Sequence, residues 1–180
     1  IGRLVGSEMC IRDRFNVATT FTRAAEEALI DVESSIHVGA RGPTNDSGVF
    51  NHTRDVGYGL IDSTELFNAG LRNTAKNIVE SLKGRSVYLC FDMDFFDPSC
   101  APGVCTPTWG GATSREGLDF LQNLTGLNLV GADINTVSPP HDISGMTAFL
   151  AATVGLEILS VICPVSNTHL RAHETTDNLV

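Results

Sequence analysis

Apolar positions along the chain repeat with alternating helical and strand-like periods. Helical spacing predicts four helices, at residues 22–30, 63–82, 114–124 and 146–159. Short apolar runs predict three strands, at residues 35–40, 87–92 and 127–134. Segments rich in glycine, proline and small polar residues separate these elements, and they predict loops at residues 42–58, 97–112 and 138–144.

This alternation predicts an α/β fold in which a mostly parallel sheet has helices on both faces, giving three α/β/α layers. The run Val87-Tyr88-Leu89-Cys90 is apolar throughout, as is typical of a strand covered on both faces. In such sheets, functional residues gather at the carboxyl ends of the strands. We also predict a weak point at Ala69-Gly70 within the second helix, and an N-cap at Ser114 for the third.

Composition narrows the class of protein. The 180 residues are 42% hydrophobic and 18% charged, which predicts one ordinary globular domain. A net charge of -9 argues against nucleic acid or an anionic membrane surface as the partner. The most apolar segment, residues 146–165, contains Glu157 and ends near Pro164, which favours a helix buried against the sheet over a membrane span.

The number and spacing of the cysteines bear on the cellular compartment of the protein. There are five of them, an odd number, and they follow no zinc-site spacing. Reduced thiols in a cytoplasmic protein are therefore the expectation. Charged residues between positions 8 and 14 interrupt any apolar stretch near the start, so no secretory signal is predicted there.

The two ends of the chain differ from its middle. Residues 1–14 and 164–180 resemble translated adaptor-like sequence, and residues 166–180 are polar without periodicity. We therefore predict a partial domain over residues 15–163, cut at both ends and flanked by non-native tails. Leu170 and Leu179 should then lie outside the core.

Carboxylates cluster in "FDMDFFDP", residues 91–98, directly after an apolar strand. Because side chains alternate along a strand, Asp92 and Asp94 should point the same way. Two carboxylates at the open end of a sheet are typical of a hard-cation site, and Asp97 could brace it from the following turn. The alternative is a loop of solvated aspartates.

Three kinds of metal site compete for this motif. An EF-hand requires an oxygen ligand and a glycine where Phe96 and Asp97 stand, so it is excluded. A phosphatase of the DxDx[TV] type has threonine or valine at the position of Phe96, and no later acidic pair suits its magnesium ion. A two-metal hydrolase remains.

Four segments in the same order resemble the ureohydrolase family, which includes agmatinases and arginases. The most specific is "FDMDFFDPSCAPGVCTPTWGG", similar to the family pattern SFDxDxxDPxxAPGTGTPxxGG. The others are "TTFTRAAEEALID", "SSIHVGARGP" and "GLNLVGADINTVSPPHDISGMTAFLAATVGLEIL". Together they cover about residues 17–160.

This resemblance implies an arginase-like fold whose N-terminal part is missing from this chain, and a site for two divalent metal ions. Manganese is the expected metal, with nickel as an alternative. The ions would activate water for attack on a guanidinium carbon, releasing urea and an amine or ammonia. Asp92 and Asp94 would be metal ligands, and Asp97 and Asp133 supporting residues. The partner would be a small guanidino substrate, and the complete protein would be a homo-oligomer, a trimer or hexamer.

The chain departs from the family pattern in ways that bear on activity. The family's upstream histidine and DAHxD ligands are absent, and Val17-Ala18 replaces its HG pair. Only two metal ligands remain, so we expect this chain alone to be inactive, and we assign no catalytic residue. The open alternatives are a non-catalytic relative that keeps the fold and, less favoured, the phosphatase-type magnesium hydrolase.

Two further departures bear on substrate. Thr136 stands where the family has a glutamate that pairs with the guanidinium group. A hydroxyl offers one neutral contact where a carboxylate offers two charge-assisted ones. Trp109 is a large addition to the loop and could stack on a small planar group. Thr136 and Trp109 are thus the candidate substrate-binding residues, and free guanidine is a candidate substrate beside a divergent agmatinase reaction.

Overall fold

The computed structural model describes residues 19–42 and 48–163. The elements, in chain order, are α1 (Thr20–Glu26), β1 (Ile36–Ala40), α2 (Val49–Val56), β2 (Gly59–Asp62), α3 (Ser63–Ala69), α4 (Leu71–Ser81), β3 (Ser86–Asp92), α5 (Ser114–Gln122), β4 (Asn128–Asn135) and α6 (Met146–Ile162). Short 3₁₀ turns lie at Val32–Ser34, Met93–Phe95 and Pro139–His141.

The strands pair in parallel. Strand β1 lies beside β2, and β3 lies beside β4. Parallel strands joined through helices confirm the predicted α/β class. The pairing of β3 with β4 brings the ends of two predicted strands to one edge, with Asp92 opposite Asn135.

The core lies against β3 and β4, where α5 and α6 pack on each other. Its largest fully buried side chains are Phe96, Leu66, Met93, Leu121 and Val154. Phe96 also contacts a group of aromatic rings formed by Phe91, Phe95 and Phe120. The segment that follows Asp92 is therefore held in place by the packing of Met93, Phe95 and Phe96 in the core.

Gly117 is required where Phe96 meets α5. A Cβ atom at position 117 would lie 2.1 Å from Cε1 of Phe96, a side chain with no exposed surface. Helix propensity alone favours alanine over glycine by about 1 kcal/mol, but overpacking a core costs about 1–3 kcal/mol. We expect Gly117→Ala to lower the free energy of unfolding by up to about 2 kcal/mol, measured by urea denaturation.

Gly155 provides the matched control for that substitution. It also lies within a helix, but a Cβ atom there would meet Cδ1 of Ile134 at 3.5 Å, an ordinary contact. Gly155→Ala should leave stability unchanged or raise it. Equal losses in both variants would contradict the assigned contact with Phe96.

Several predicted boundaries were wrong. Helix α1 ends at Glu26 instead of residue 30, because Ala28 adopts a φ of 53° that ends the helix. The predicted loop 42–58 contains α2, and β2 follows it. The sequence gives weak signals for both, because α2 is mostly polar and β2 has only four residues.

Helix termini differ from the prediction in one place and follow it in another. Gly70, with φ 82° and ψ 131°, divides the predicted helix 63–82 into α3 and α4 at the predicted weak point. The cap of α5 is Thr113, not Ser114. Thr113 accepts a bond from the Glu116 N–H at 3.2 Å, and the Glu116 carboxylate accepts one from the Thr113 N–H at 2.8 Å. This reciprocal pair requires an extended residue before the helix, a position that Thr113 occupies.

Helix α6 is buried on one side only, so the predicted burial holds in part. The inward side chains include Thr147, Val154, Ile158 and Val161. Apolar side chains of the opposite side are exposed, namely Met146, Phe149, Leu156, Leu159 and Ile162. No helix within the described residues is long and apolar enough to cross a membrane. The predicted tails, with Leu170 and Leu179, lie outside the described residues.

His37 lies among aromatic rings. Its ring centroid is 5.4 Å from that of Phe21 and 5.0 Å from that of Tyr58, and burial lowers the pKa of His37 below its ordinary value. Between the ordinary pKa of about 6.5 and the lowered one, the unfolded chain binds a proton that the folded chain does not. Stability should therefore fall as the pH drops below about 6.5.

The test is the free energy of unfolding at pH 7.5 and 5.5, a window above the titration of ordinary carboxylates. His37→Phe should lose less stability over this interval than the unchanged chain. His52→Gln is the control variant, because it removes an exposed histidine and leaves the rings around His37 in place. An unaltered dependence in His37→Phe would show that another group is responsible.

Candidate metal centre

The predicted carboxylates lie at the carboxyl ends of two paired strands. Asp92 ends β3, and Asp94 lies in the 3₁₀ turn Met93–Phe95 that follows at once. In the parallel register, Cys90 is opposite Asp133 and Asp92 is opposite Asn135. The strand pairing thus places Asp133 of β4 at the edge where Asp92 and Asp94 lie.

Negative charge accumulates at this edge. Partial burial of the carboxylate raises the pKa of Asp92, and the charges of Asp94 and Asp133 raise it further. Among residues 19–42 and 48–163, no lysine, arginine or histidine forms an ion pair with any of these three carboxylates. Like charges held this close favour an added cation.

Asp94 is held in place by neighbouring groups. The hydroxyl of Thr106 donates to Oδ2 of Asp94 at 2.7 Å, and the Asp94 N–H donates to Oγ1 of Thr136 at 3.2 Å. The main-chain carbonyl of Asp94 accepts a hydrogen bond from Nη2 of Arg41. These contacts fix the orientation of its carboxylate.

Arg41 donates hydrogen bonds to several main-chain carbonyls beside these carboxylates. From the end of β1 its guanidinium donates to the carbonyl of Phe96 at 3.1 Å and to that of Thr108 at 3.0 and 3.2 Å, besides that of Asp94. Burial lowers the pKa of Arg41, and the charges of Asp94 and Asp97 oppose that shift. Gly111 permits the approach, because a Cβ there would lie 2.6 Å from Nη2.

Asp97 uses both carboxylate oxygens to shape the loop. Oδ1 accepts from the Ser99 N–H at 2.9 Å, and Oδ2 accepts from the N–H groups of Gly110 at 2.9 Å and Gly111 at 3.3 Å. Hydrogen bonds from Ser99 and then from the glycines lower the pKa of Asp97 to about 2. The structure therefore places Asp97 as a brace between the two ends of the loop.

Asp133 lies beside Tyr88, Cys90 and Asn135. Nδ2 of Asn135 donates to its carboxylate, and a hydrogen bond to Asp133 raises the pKa of Tyr88. Burial, and then Asp133 and Asp92, raise the pKa of Cys90 to about 11. Hard divalent ions prefer oxygen donors, so the Cys90 thiol is a less suitable ligand for them than the neighbouring carboxylates.

Comparison with known proteins fits this geometry. The arginase-family model matches residues 8–160. The chain belongs to the arginase family. A guanidinobutyrase of Pseudomonas aeruginosa is 36% identical over 144 residues, which are 80% of this chain and 45% of that protein.

Solved structures of arginase-family proteins give the same result. A hypothetical agmatinase from Burkholderia thailandensis matches with a TM-score of 0.71 at 36% identity, over 81% of this chain and 44% of that one. The proclavaminate amidino hydrolase of Streptomyces clavuligerus matches with a TM-score of 0.72 at 35% identity, over 79% and 46%. The predicted arginase-like α/β/α fold is confirmed, and the chain spans about half the length of these relatives.

The two candidate substrate residues of this arginase-family chain differ in placement. Thr136 follows β4 directly, with a φ of 69°, and its hydroxyl contacts the main chain of Asp94. Trp109 is 76% exposed on the loop, between Thr108 and Gly110. Among the described residues its ring stacks on no other ring. Their substrate-binding roles stay predictions.

The candidate ligands are of the right chemical type for a divalent metal ion, but there are only two of them among the assigned residues. Asp92 and Asp94 offer carboxylate oxygens, the donors that hard cations prefer. Within the part of the chain that the structure describes, no three His, Cys, Asp or Glu side chains come together as a metal-binding group. Further ligands must therefore come from outside the described residues if two ions are to be held.

Proposed function

We propose that this arginase-family protein, in its complete form, hydrolyses a C–N bond of a small guanidino compound, releasing urea and an amine or ammonia. The observation that carries this is the accumulation of negative charge where Asp92, Asp94 and Asp133 lie at the ends of β3 and β4. The names of its relatives support it, since a guanidinobutyrase and agmatinases are among them.

Asp92 and Asp94 would hold two divalent ions together with ligands from outside the described residues, with manganese as the first candidate and nickel as the second. When bound, the ions supply Lewis acidity and lower the pKa of water. The hydroxyl of Thr106 orients the Asp94 carboxylate, and Asp97 stabilises the neighbouring loop by accepting a hydrogen bond from Gly110. Asp133 adds negative charge next to Asp92, which favours the bound cations.

The substrate class follows from Thr136. Its Oγ1 donates its proton to the carbonyl of Asn135 at 2.7 Å, so it can offer a guanidinium group only an acceptor. A neutral acceptor binds that cation less firmly than a carboxylate would. We therefore propose a compact substrate such as free guanidine, on which the exposed Trp109 could stack, with an agmatine-like compound as the second candidate.

The chain by itself should be inactive. Two divalent ions bring four positive charges, whereas Asp92 and Asp94 bring two negative ones. With excess manganese or nickel, we expect the 180-residue chain to release no urea from guanidine, agmatine, arginine or 4-guanidinobutyrate. Metal-dependent turnover would mean that the chain contains further ligands.

An assay of the full-length protein distinguishes an enzyme from a non-catalytic relative. We expect a full-length protein carrying this chain to release urea from at least one of these four compounds when manganese is present. Failure with all four, although manganese binds, would favour the non-catalytic relative. Phosphate release from p-nitrophenyl phosphate with magnesium would favour the phosphatase alternative. We further propose a cytoplasmic homo-oligomer, a trimer or hexamer.

A further inference from the structure

Thr136 has an unfavourable backbone conformation. Its φ of 69° lies in the left-handed region, which glycine and asparagine occupy readily and β-branched residues avoid. Such conformations persist where the surrounding structure enforces them. The hydrogen bonds of Thr136 should therefore explain why a threonine occupies this left-handed position.

The side chain and main chain of Thr136 join three segments. Oγ1 accepts a hydrogen bond from the Asp94 N–H at 3.2 Å and donates one to the carbonyl of Asn135 at 2.7 Å. The Thr136 carbonyl accepts a bond from the Cys105 N–H at 2.9 Å. Next to it, Val137 pairs with Val104. The end of β4 is thus tied both to the turn after β3 and to the loop that carries Thr106.

We infer that Thr136 is a positioning residue for Asp94. The left-handed conformation directs its hydroxyl to the Asp94 N–H, while Thr106 holds the Asp94 carboxylate from the loop that Thr136 also anchors. This role of Thr136 acts through Asp94 and is separate from the acceptor that its hydroxyl would offer to a substrate. That Asp94 binds metal rests on the proposed function, whereas the hydrogen bond to its main chain does not.

Three substitutions separate the parts of this role. Thr136→Val keeps the shape and the β-branch but removes the hydroxyl. Thr136→Ser restores the hydroxyl without the methyl group. Thr136→Gly removes the hydroxyl and relieves the left-handed strain, so it should fold at least as well as Thr136→Val. Melting curves of all three identify any variant that fails to fold.

The first readout is amide hydrogen exchange of the peptide spanning residues 92–96, which requires no metal. Exchange at Asp94 should be faster in Thr136→Val and Thr136→Gly and unchanged in Thr136→Ser. The second readout is manganese affinity of the full-length protein, from the EPR signal of free Mn²⁺. Because losing a group that orients a metal ligand costs about 10–100-fold in affinity, Thr136→Val should bind manganese that much more weakly.

The outcomes distinguish this inference from the proposed function. Unchanged exchange at Asp94 in Thr136→Val and Thr136→Gly would overturn the positioning role. A KM increase in Thr136→Val with kcat and manganese affinity unchanged would also overturn it, in favour of a substrate contact. Faster exchange in a protein that binds no manganese would support the positioning role and reject the metal site.

Discussion

Replacing Asp94 with asparagine should lower manganese-dependent urea release by the full-length protein by at least about 100-fold. Loss of a group that merely orients a metal ligand already costs about 10–100-fold, and loss of the ligand itself should cost more. Asparagine keeps the size of the side chain and can still accept a bond from Thr106, so the fold should persist. The loss should appear in both manganese affinity and kcat.

Asp119→Asn is the matched control for this prediction. It removes the same charge from an aspartate that pairs with Arg72 on the surface, at 2.7 Å. Activity should remain within about twofold, since exposed ion pairs contribute little to stability. Similar losses in the two variants would show that the effect at Asp94 is one of net charge or folding, and would contradict its role as a ligand.

Replacing Arg41 with methionine should lower the free energy of unfolding by about 2–4 kcal/mol. Its guanidinium donates to the carbonyls of Asp94, Phe96 and Thr108, and methionine leaves these acceptors without that donor. Hydrogen bonds that involve a charged group contribute about 1.5–3 kcal/mol each, and water can replace part of this in a half-buried site. Urea denaturation measures the change.

Lysine should not rescue this position. Its single ammonium group cannot reproduce the planar arrangement that serves several carbonyl oxygens at once. Arg72→Met, at a surface arginine paired with Asp119, should cost less than about 1 kcal/mol. An Arg41→Lys variant as stable as the unchanged chain would contradict this prediction. It would show that a point charge near Asp94 and Asp97 is enough for stability, without the assigned hydrogen bonds.

The sequence predicts the strands and helices around the candidate metal centre well, because they are long and apolar. Strands β3 and β4 and helices α5 and α6 contain strong apolar patterns, and their predicted bounds fall within three residues of the observed ones. Helix α2 and strand β2 were missed because one is polar and the other is short. Local patterns thus predict long apolar elements and give little information about polar or short ones. An apolar pattern does not guarantee burial, because Tyr88 of β3 and Val130 of β4 are exposed among the described residues.

The centre itself is only partly readable from the sequence. The position of Asp92 follows from its place at the end of β3, and the proximity of Asp133 follows from parallel pairing with β4. Asp94 lies past the strand, in a 3₁₀ turn that strand alternation does not predict. The contact of Arg41 with Thr108 joins residues 67 positions apart, and the left-handed Thr136 contacts Asp94 and Cys105 in two other segments. Such features arise from tertiary packing, which no local pattern encodes.

We propose that Asp92 and Asp94 hold the divalent metal ions of a guanidino hydrolase. The most direct test is the number of Mn²⁺ ions bound by the full-length protein, compared with the double variant Asp92→Asn, Asp94→Asn. We expect two ions per chain in the unchanged protein and loss of tight binding in the double variant. Two tightly bound ions in both proteins would contradict it.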